Sequence, residues 1–161
     1  MRTLLAIFFV LIILIAIGFT YSFFGIYNVA ASNPRYGITE WFLSSTMDAS
    51  VKRHSQGIIA PSMDKPEMKA AGNRYYSSLC ADCHGGPKVK RETFATGLNP
   101  NPPDLEKAVS DWTNPQLFWI VKNGVKMTGM PSFEANFNNN QIWEIVSYLR
   151  TLSHSTSETR H

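Results

Sequence analysis

Cysteine is scarce in this chain. The 161 residues hold two, and both fall within the stretch Cys80-Ala81-Asp82-Cys83-His84. A disulfide framework is therefore excluded. A bridge between two cysteines so close in sequence would constrain the unfolded chain little. Charge is thin as well: charged residues make up 17% and the net charge is +3, too little to suggest a nucleic-acid partner. No recognisable nucleic-acid module, phosphate-binding glycine loop, nucleophile–base pair or second metal cluster is present. Catalysis by the chain on its own is not expected. The first 27 residues carry a single charge, Arg2.

The two cysteines that remain are arranged for one chemistry. Cysteines spaced Cys-x-x-Cys can each bond one vinyl-derived carbon of a haem. The histidine that follows then faces the iron and supplies an axial imidazole nitrogen. A thioredoxin-like redox pair would need a βαβ setting, which the pattern of this chain does not provide. A zinc site would need further cysteine or histidine ligands at ligand spacing, and none lie nearby. Cys80 and Cys83 are thus read as the attachment points of one haem c, and His84 as an axial ligand of its iron.

The amino terminus is apolar from Leu4 through Phe19 apart from Gly18, and stays largely apolar to Tyr27. These 24 positions would make a helix about 36 Å long at about 1.5 Å per residue, enough to span a membrane with tilt. Tyr21 and Tyr27 fall where an interfacial aromatic belt would sit, and Arg2 places the amino terminus on the cytoplasmic side. Residues 1–28 are expected to form an uncleaved transmembrane anchor. The competing reading is a signal peptide cut near Val29-Ala30-Ala31, against which the apolar run is long for an h-region.

Residues 29–65 are expected to be a linker containing an amphipathic helix at about 38–54, in which Leu43, Met47 and Val51 recur every four residues. Lys52, Arg53 and His54 suit its negative end. Lying on the membrane, bracing the next domain and docking a partner subunit are all open to it. His54, at a helix end, is read as structural, and Met47, Met63 and Met68 as packing residues.

From Pro66 the residues form recognisable sets. Gly72, Tyr76 and Cys80 stand four apart and share a helix face. Ile142, Ile145, Val146 and Leu149 form the buried stripe of a last helix over 141–152, capped from the asparagine run 138–140. A helix with Asn114 as its N-cap and Pro115 at its first position runs to Gly124, and Phe118, Ile120 and Val121 are expected to form the apolar side of the haem pocket. Between them run Gly97-Leu98-Asn99-Pro100-Asn101-Pro102-Pro103-Asp104-Leu105 and Gly129-Met130-Pro131-Ser132-Phe133.

In these sets, from Pro66 onward, the chain resembles the class I c-type cytochromes, in particular membrane-anchored bacterial members with one haem. The resemblance implies an all-α cytochrome c fold, three to four helices around a covalently bound haem. Ahead of it stand the transmembrane helix and the juxtamembrane helical segment. The haem domain would cover 66–153, and a polar tail, 154–161, is expected to be disordered. Gly72 would let the last helix cross closely, and Leu98 and Leu105 would wall the haem. Met130 would be the sixth iron ligand, favoured over Met127 by the proline after it, with an open site as the third possibility. The family usually sets a proline carbonyl against the proximal histidine. Between Pro87 and the Pro100–Pro103 group that partner is unassigned.

The resemblance further implies single-electron relay on the periplasmic side of a bacterial inner membrane. Partners would be a quinol-oxidising complex, a dehydrogenase or a terminal oxidase. Lys88, Lys90, Arg91, Lys122 and Lys126 would form a positive rim for docking, against the plainer reading of solvated lysines. Two alternatives stand beside the relay: a permanent haem subunit of a multi-subunit oxidoreductase, and a haem-based ligand sensor with a labile distal methionine.

Overall fold

The computed structural model describes residues 1–33, 37–87 and 89–158. The chain divides into two compact units, Met1–Asn33 and Pro34–His161.

The first unit is helix α1, Arg2–Phe23, whose 22 residues rise about 33 Å at about 1.5 Å per residue. Its side chains are all exposed, its most apolar window has a mean hydropathy of 2.9, and it is long and apolar enough to cross a membrane. It stops four residues short of Tyr27 because the chain turns at Gly25, φ +67°, a conformation glycine adopts without steric cost.

The second unit is helical, with no named strand among the described residues. Its helices are α2 (Gly37–His54), α3 (Pro66–Leu79), the single turn α4 (Ala81–His84), α5 (Leu105–Ala108), α6 (Asn114–Asn123) and α7 (Asn139–Glu158). Short 3₁₀ turns at Thr93–Gly97 and Val109–Asp111 shape the loops between them. The core forms where α3 crosses α7. A Cβ placed on Gly72 would lie 2.0 Å from the Glu144 carbonyl oxygen and 2.8 Å from Tyr148 Cβ, so only glycine permits this approach. Ile142, Ile145, Val146 and Leu149 are buried on α7 as their spacing predicts. Phe118 stacks on Trp143 at 4.3 Å between ring centroids.

Helix termini show local competition for side chains. Asn138 caps α7 reciprocally with Gln141, whose backbone N–H donates to Asn138 Oδ1 (3.0 Å) while Asn138 N–H donates to Gln141 Oε1 (2.9 Å). At α6 the expected Asn114 cap is replaced by Thr113, whose N–H donates to Gln116 Oε1 at 2.8 Å. Asn114 is engaged elsewhere: Arg150 on α7 donates to its Oδ1 and to the carbonyls of Val109 and Trp112. Helix α7 runs to Glu158, beyond the point where the tail was expected to lose order, and 159–161 lie outside the described residues.

Helix α2 departs from simple amphipathicity. At about 100° per residue, Leu43, Met47 and Val51 share one face, and Ile38, Trp41 and Phe42 lie on the opposite one. The second set is exposed, whereas Val51 is fully buried. The first face docks on α6, where the His54 ring stacks on Trp119 at 5.7 Å. The chain then turns at Gly57 and runs as a strap whose Ile58, Ala60 and Met63 pack on the core. The buried Ser147 hydroxyl of α7 donates to the Met63 carbonyl at 2.7 Å. Helix α2 is thus packed on α6 through its Leu43–Met47–Val51 face. It packs with the unit that carries α3–α7 rather than standing apart in a linker over 29–65.

Candidate functional site

A cavity of about 350 Å³ opens between α3, α6, α7 and the loops that join them. Its walls are almost wholly apolar, and Cys80, Cys83, His84 and Met130 all line it. Leu98 and Leu105 line it as the loop pattern predicts, with Leu117, Ile120, Val121, Ile145 and Leu149 from the helices. Phe118, expected in this wall, instead faces Trp143 in the core.

The turn α4 sets the cysteines and the histidine on one short element. Its amide ladder starts at Cys80, whose carbonyl accepts from His84 N–H at 2.8 Å, and ends at Gly85, φ +71°. The Tyr76 hydroxyl donates to the Gly85 carbonyl at 2.6 Å, pinning this turn to α3. Burial, and then the neighbouring Cys80, push the Tyr76 hydroxyl above its ordinary range, so it keeps its donor proton at neutral pH.

His84 donates through Nδ1–H to the carbonyl of Pro103 at 3.0 Å. That contact assigns the proline the sequence left open: Pro103, which the loop 93–104 folds back onto the histidine. Burial pushes the imidazole below its ordinary range, the Pro103 bond opposes this, and the Arg91 guanidinium adds to the lowering. A neutral ring with Nδ1 as donor leaves Nε2 free to act as a metal ligand. Burial, and then Cys83, push the Cys80 thiol up to about 12. Reactive redox cysteines have lowered values instead, so Cys80 is not activated as a thiolate.

Arg91 was expected on a docking rim, but it acts inside the loop. Its Nε–H donates to the His84 carbonyl (3.3 Å) and its NH1 to the Pro102 carbonyl (2.7 Å). One guanidinium thus ties the histidine turn to the proline segment that orients the ring. Its sequence signal was misleading because a cation beside two lysines reads as solvated. Lys122 is also engaged, pairing with Glu134 at 3.5 Å and donating to Asn139 Oδ1 at 3.1 Å. Lys90 and Lys126 are exposed, and Lys88 lies outside the described residues.

The methionine loop is held by backbone packing. Gly124 has φ +66°, and a Cβ on it would meet the Pro131 carbonyl carbon at 2.5 Å. The amides of Phe133 and Glu134 and the Ser132 hydroxyl all donate to the Lys122 carbonyl. Thr128 bridges the loop, accepting from Met130 N–H and donating to the Val125 carbonyl. Met130 lines the cavity, whereas Met127 does not and is 71% exposed. Two thiols, a neutral imidazole and a thioether around an apolar slot are the donor set that a haem needs. The residues fit that group. His54 is stacked on Trp119 and is not among the lining residues.

The model of the family described as cytochrome c oxidase, cbb3-type, subunit III matches residues 67–149. The chain is also similar to quinohemoprotein alcohol dehydrogenase ADH IIB of Pseudomonas putida, 32% identical over 114 residues. That alignment takes in 70% of this chain but 15% of the dehydrogenase.

Proposed function

The chain belongs to the class I c-type cytochromes, and from that membership we propose that it is a membrane-anchored carrier of one haem c relaying single electrons on the periplasmic side. Cys80 and Cys83 would hold the haem through thioethers, and His84 and Met130 would offer its iron an imidazole nitrogen and a thioether sulfur. Haem c, when bound, supplies a one-electron iron couple. The protein's part is to orient the imidazole through Pro103, hold Met130 on a tied loop and keep water out with apolar walls. The observation that carries this reading is the meeting of His84 and Met130 in one cavity while Met127 stays outside it. These two side chains would hold the iron between them, and the group would then carry electrons rather than bind substrate. Apolar helix α1 and the lone Arg2 support the anchor and its orientation. Lys90 and Lys126, both exposed, are what remains of a positive docking rim.

A second reading is a permanent haem subunit of a larger oxidoreductase. It is favoured by the likeness to one part of a quinohemoprotein dehydrogenase and by a family whose description is an oxidase subunit.

The test uses the intact protein purified from membranes in detergent. The wild type should be inert to carbon monoxide, Met130→Ala should bind it, and Met127→Ala should behave as wild type. Ready carbon monoxide binding by the wild type would overturn the carrier reading in favour of a ligand sensor. A stoichiometric dehydrogenase or oxidase subunit in the same preparation would select the permanent-subunit form.

A further inference from the structure

Met47 stands outside the segment 67–149 that matches the family, on a helix that precedes the haem domain, yet it lines the same cavity as His84 and Met130. Its position is fixed. Val51, one turn further along the same face, is fully buried. His54, a further turn on, stacks on Trp119 of α6, and the strap beyond is tied to α7 by the bond from Ser147 to Met63. Helix α6 itself contributes Leu117, Ile120 and Val121 to the cavity. A helix docked this firmly presents Met47 to the cavity as part of its wall.

We propose that Met47 belongs to the haem site, adding to the crevice wall from outside the family's own segment, and that it sets the reduction potential by excluding water. This rests on the haem assignment above. Oxidised iron carries one more positive charge than reduced iron, so water or polar groups against the ring favour the oxidised form. A thioether side chain at the wall is apolar and fills irregular space, and its presence favours the reduced form. The same wall limits how closely a hydrophilic reductant approaches.

The experiment compares Met47→Gln, Met47→Ala and Met47→Leu in the haem-loaded full chain, by redox titration and by the rate of reduction with a small hydrophilic reductant. Gln and Ala should lower the midpoint potential and speed reduction several-fold, while Leu stays near the wild type. Retained haem and methionine–iron absorption in all proteins separates a failure here from a failure of the haem assignment. If Gln loses haem, Ala carries the comparison. Potentials and rates that match the wild type in both polar-opening variants would overturn the proposal. So would a drop with Leu as large as that with Ala, which would mean packing alone.

Discussion

At the scale of single residues, the chemistry of the site is local and its orientation is not. Cys80, Cys83 and His84 lie within one turn, so their spacing already specified which side chains converge. Met130 lines the same cavity, on a loop whose proline neighbour singled it out in the sequence. The partner of His84 was not legible: Pro103 reaches Nδ1 only because the intervening loop closes on itself. Arg91 was misread for the same reason. It donates to the His84 and Pro102 carbonyls, two acceptors far apart in sequence. Arg91→Ala should therefore cost about 1–3 kcal/mol, the usual penalty for stranding part-buried acceptors, measured by denaturant unfolding of the haem-loaded protein. Arg91→Lys should recover little, since a single ammonium cannot serve both carbonyls as a planar fork does. Full recovery with lysine would show that charge alone mattered and that the clamp is wrong.

At the scale of elements, periodicity identified α3, α6 and α7, and the close approach of glycine identified which two cross. Gly72→Ala sharpens this. Alanine is the better helix former by about 1 kcal/mol, so propensity alone predicts stabilisation. The added Cβ would meet the Glu144 carbonyl at 2.0 Å, and a backbone atom cannot rotate away. The helices must separate, at about 1–3 kcal/mol for overpacking, and the net change should be destabilising. A raised melting temperature would mean that the crossing is looser than this distance implies. Arg150 is the comparable tie between α7 and the loop before α6. Arg150→Met keeps the stem but leaves the Val109 and Trp112 carbonyls without it, an expected loss of about 1–3 kcal/mol in the same unfolding assay. Element ends were less legible than element existence. The cap of α6 moved to Thr113 because Arg150, distant in sequence, had recruited Asn114. The recurrence of Leu43, Met47 and Val51 marked the face of α2 that docks, but Ile38, Trp41 and Phe42 opposite are as apolar, so period alone did not say which face is covered.

At the scale of the whole molecule, the chain separates into an apolar helix and a unit with its own core, and the boundary decides what can be removed. Met1–Asn33 contributes none of the buried residues, whereas Val51 of α2 is buried with the second unit. By length and composition the first part could cross a membrane, and it supplies none of the buried residues. Two truncations, each supplied with a cleavable export leader, follow. A chain starting at Pro34 should move to the soluble fraction while its haem spectrum, reduction potential and melting temperature stay those of the full chain. A chain starting at Pro66, where family resemblance begins, removes α2 and the strap of Ile58, Ala60 and Met63 that packs on the core. Losing Val51 alone forfeits about 1.5–3 kcal/mol of apolar burial, and the strap adds to it. The Met63 carbonyl also no longer accepts from Ser147, leaving that buried hydroxyl without the bond. The shorter protein should unfold at clearly lower denaturant and, with Met47 gone, show a lower potential. A Pro66 start that unfolds and titrates like the Pro34 start would reduce α2 to a tether, and the haem domain would then be complete without it.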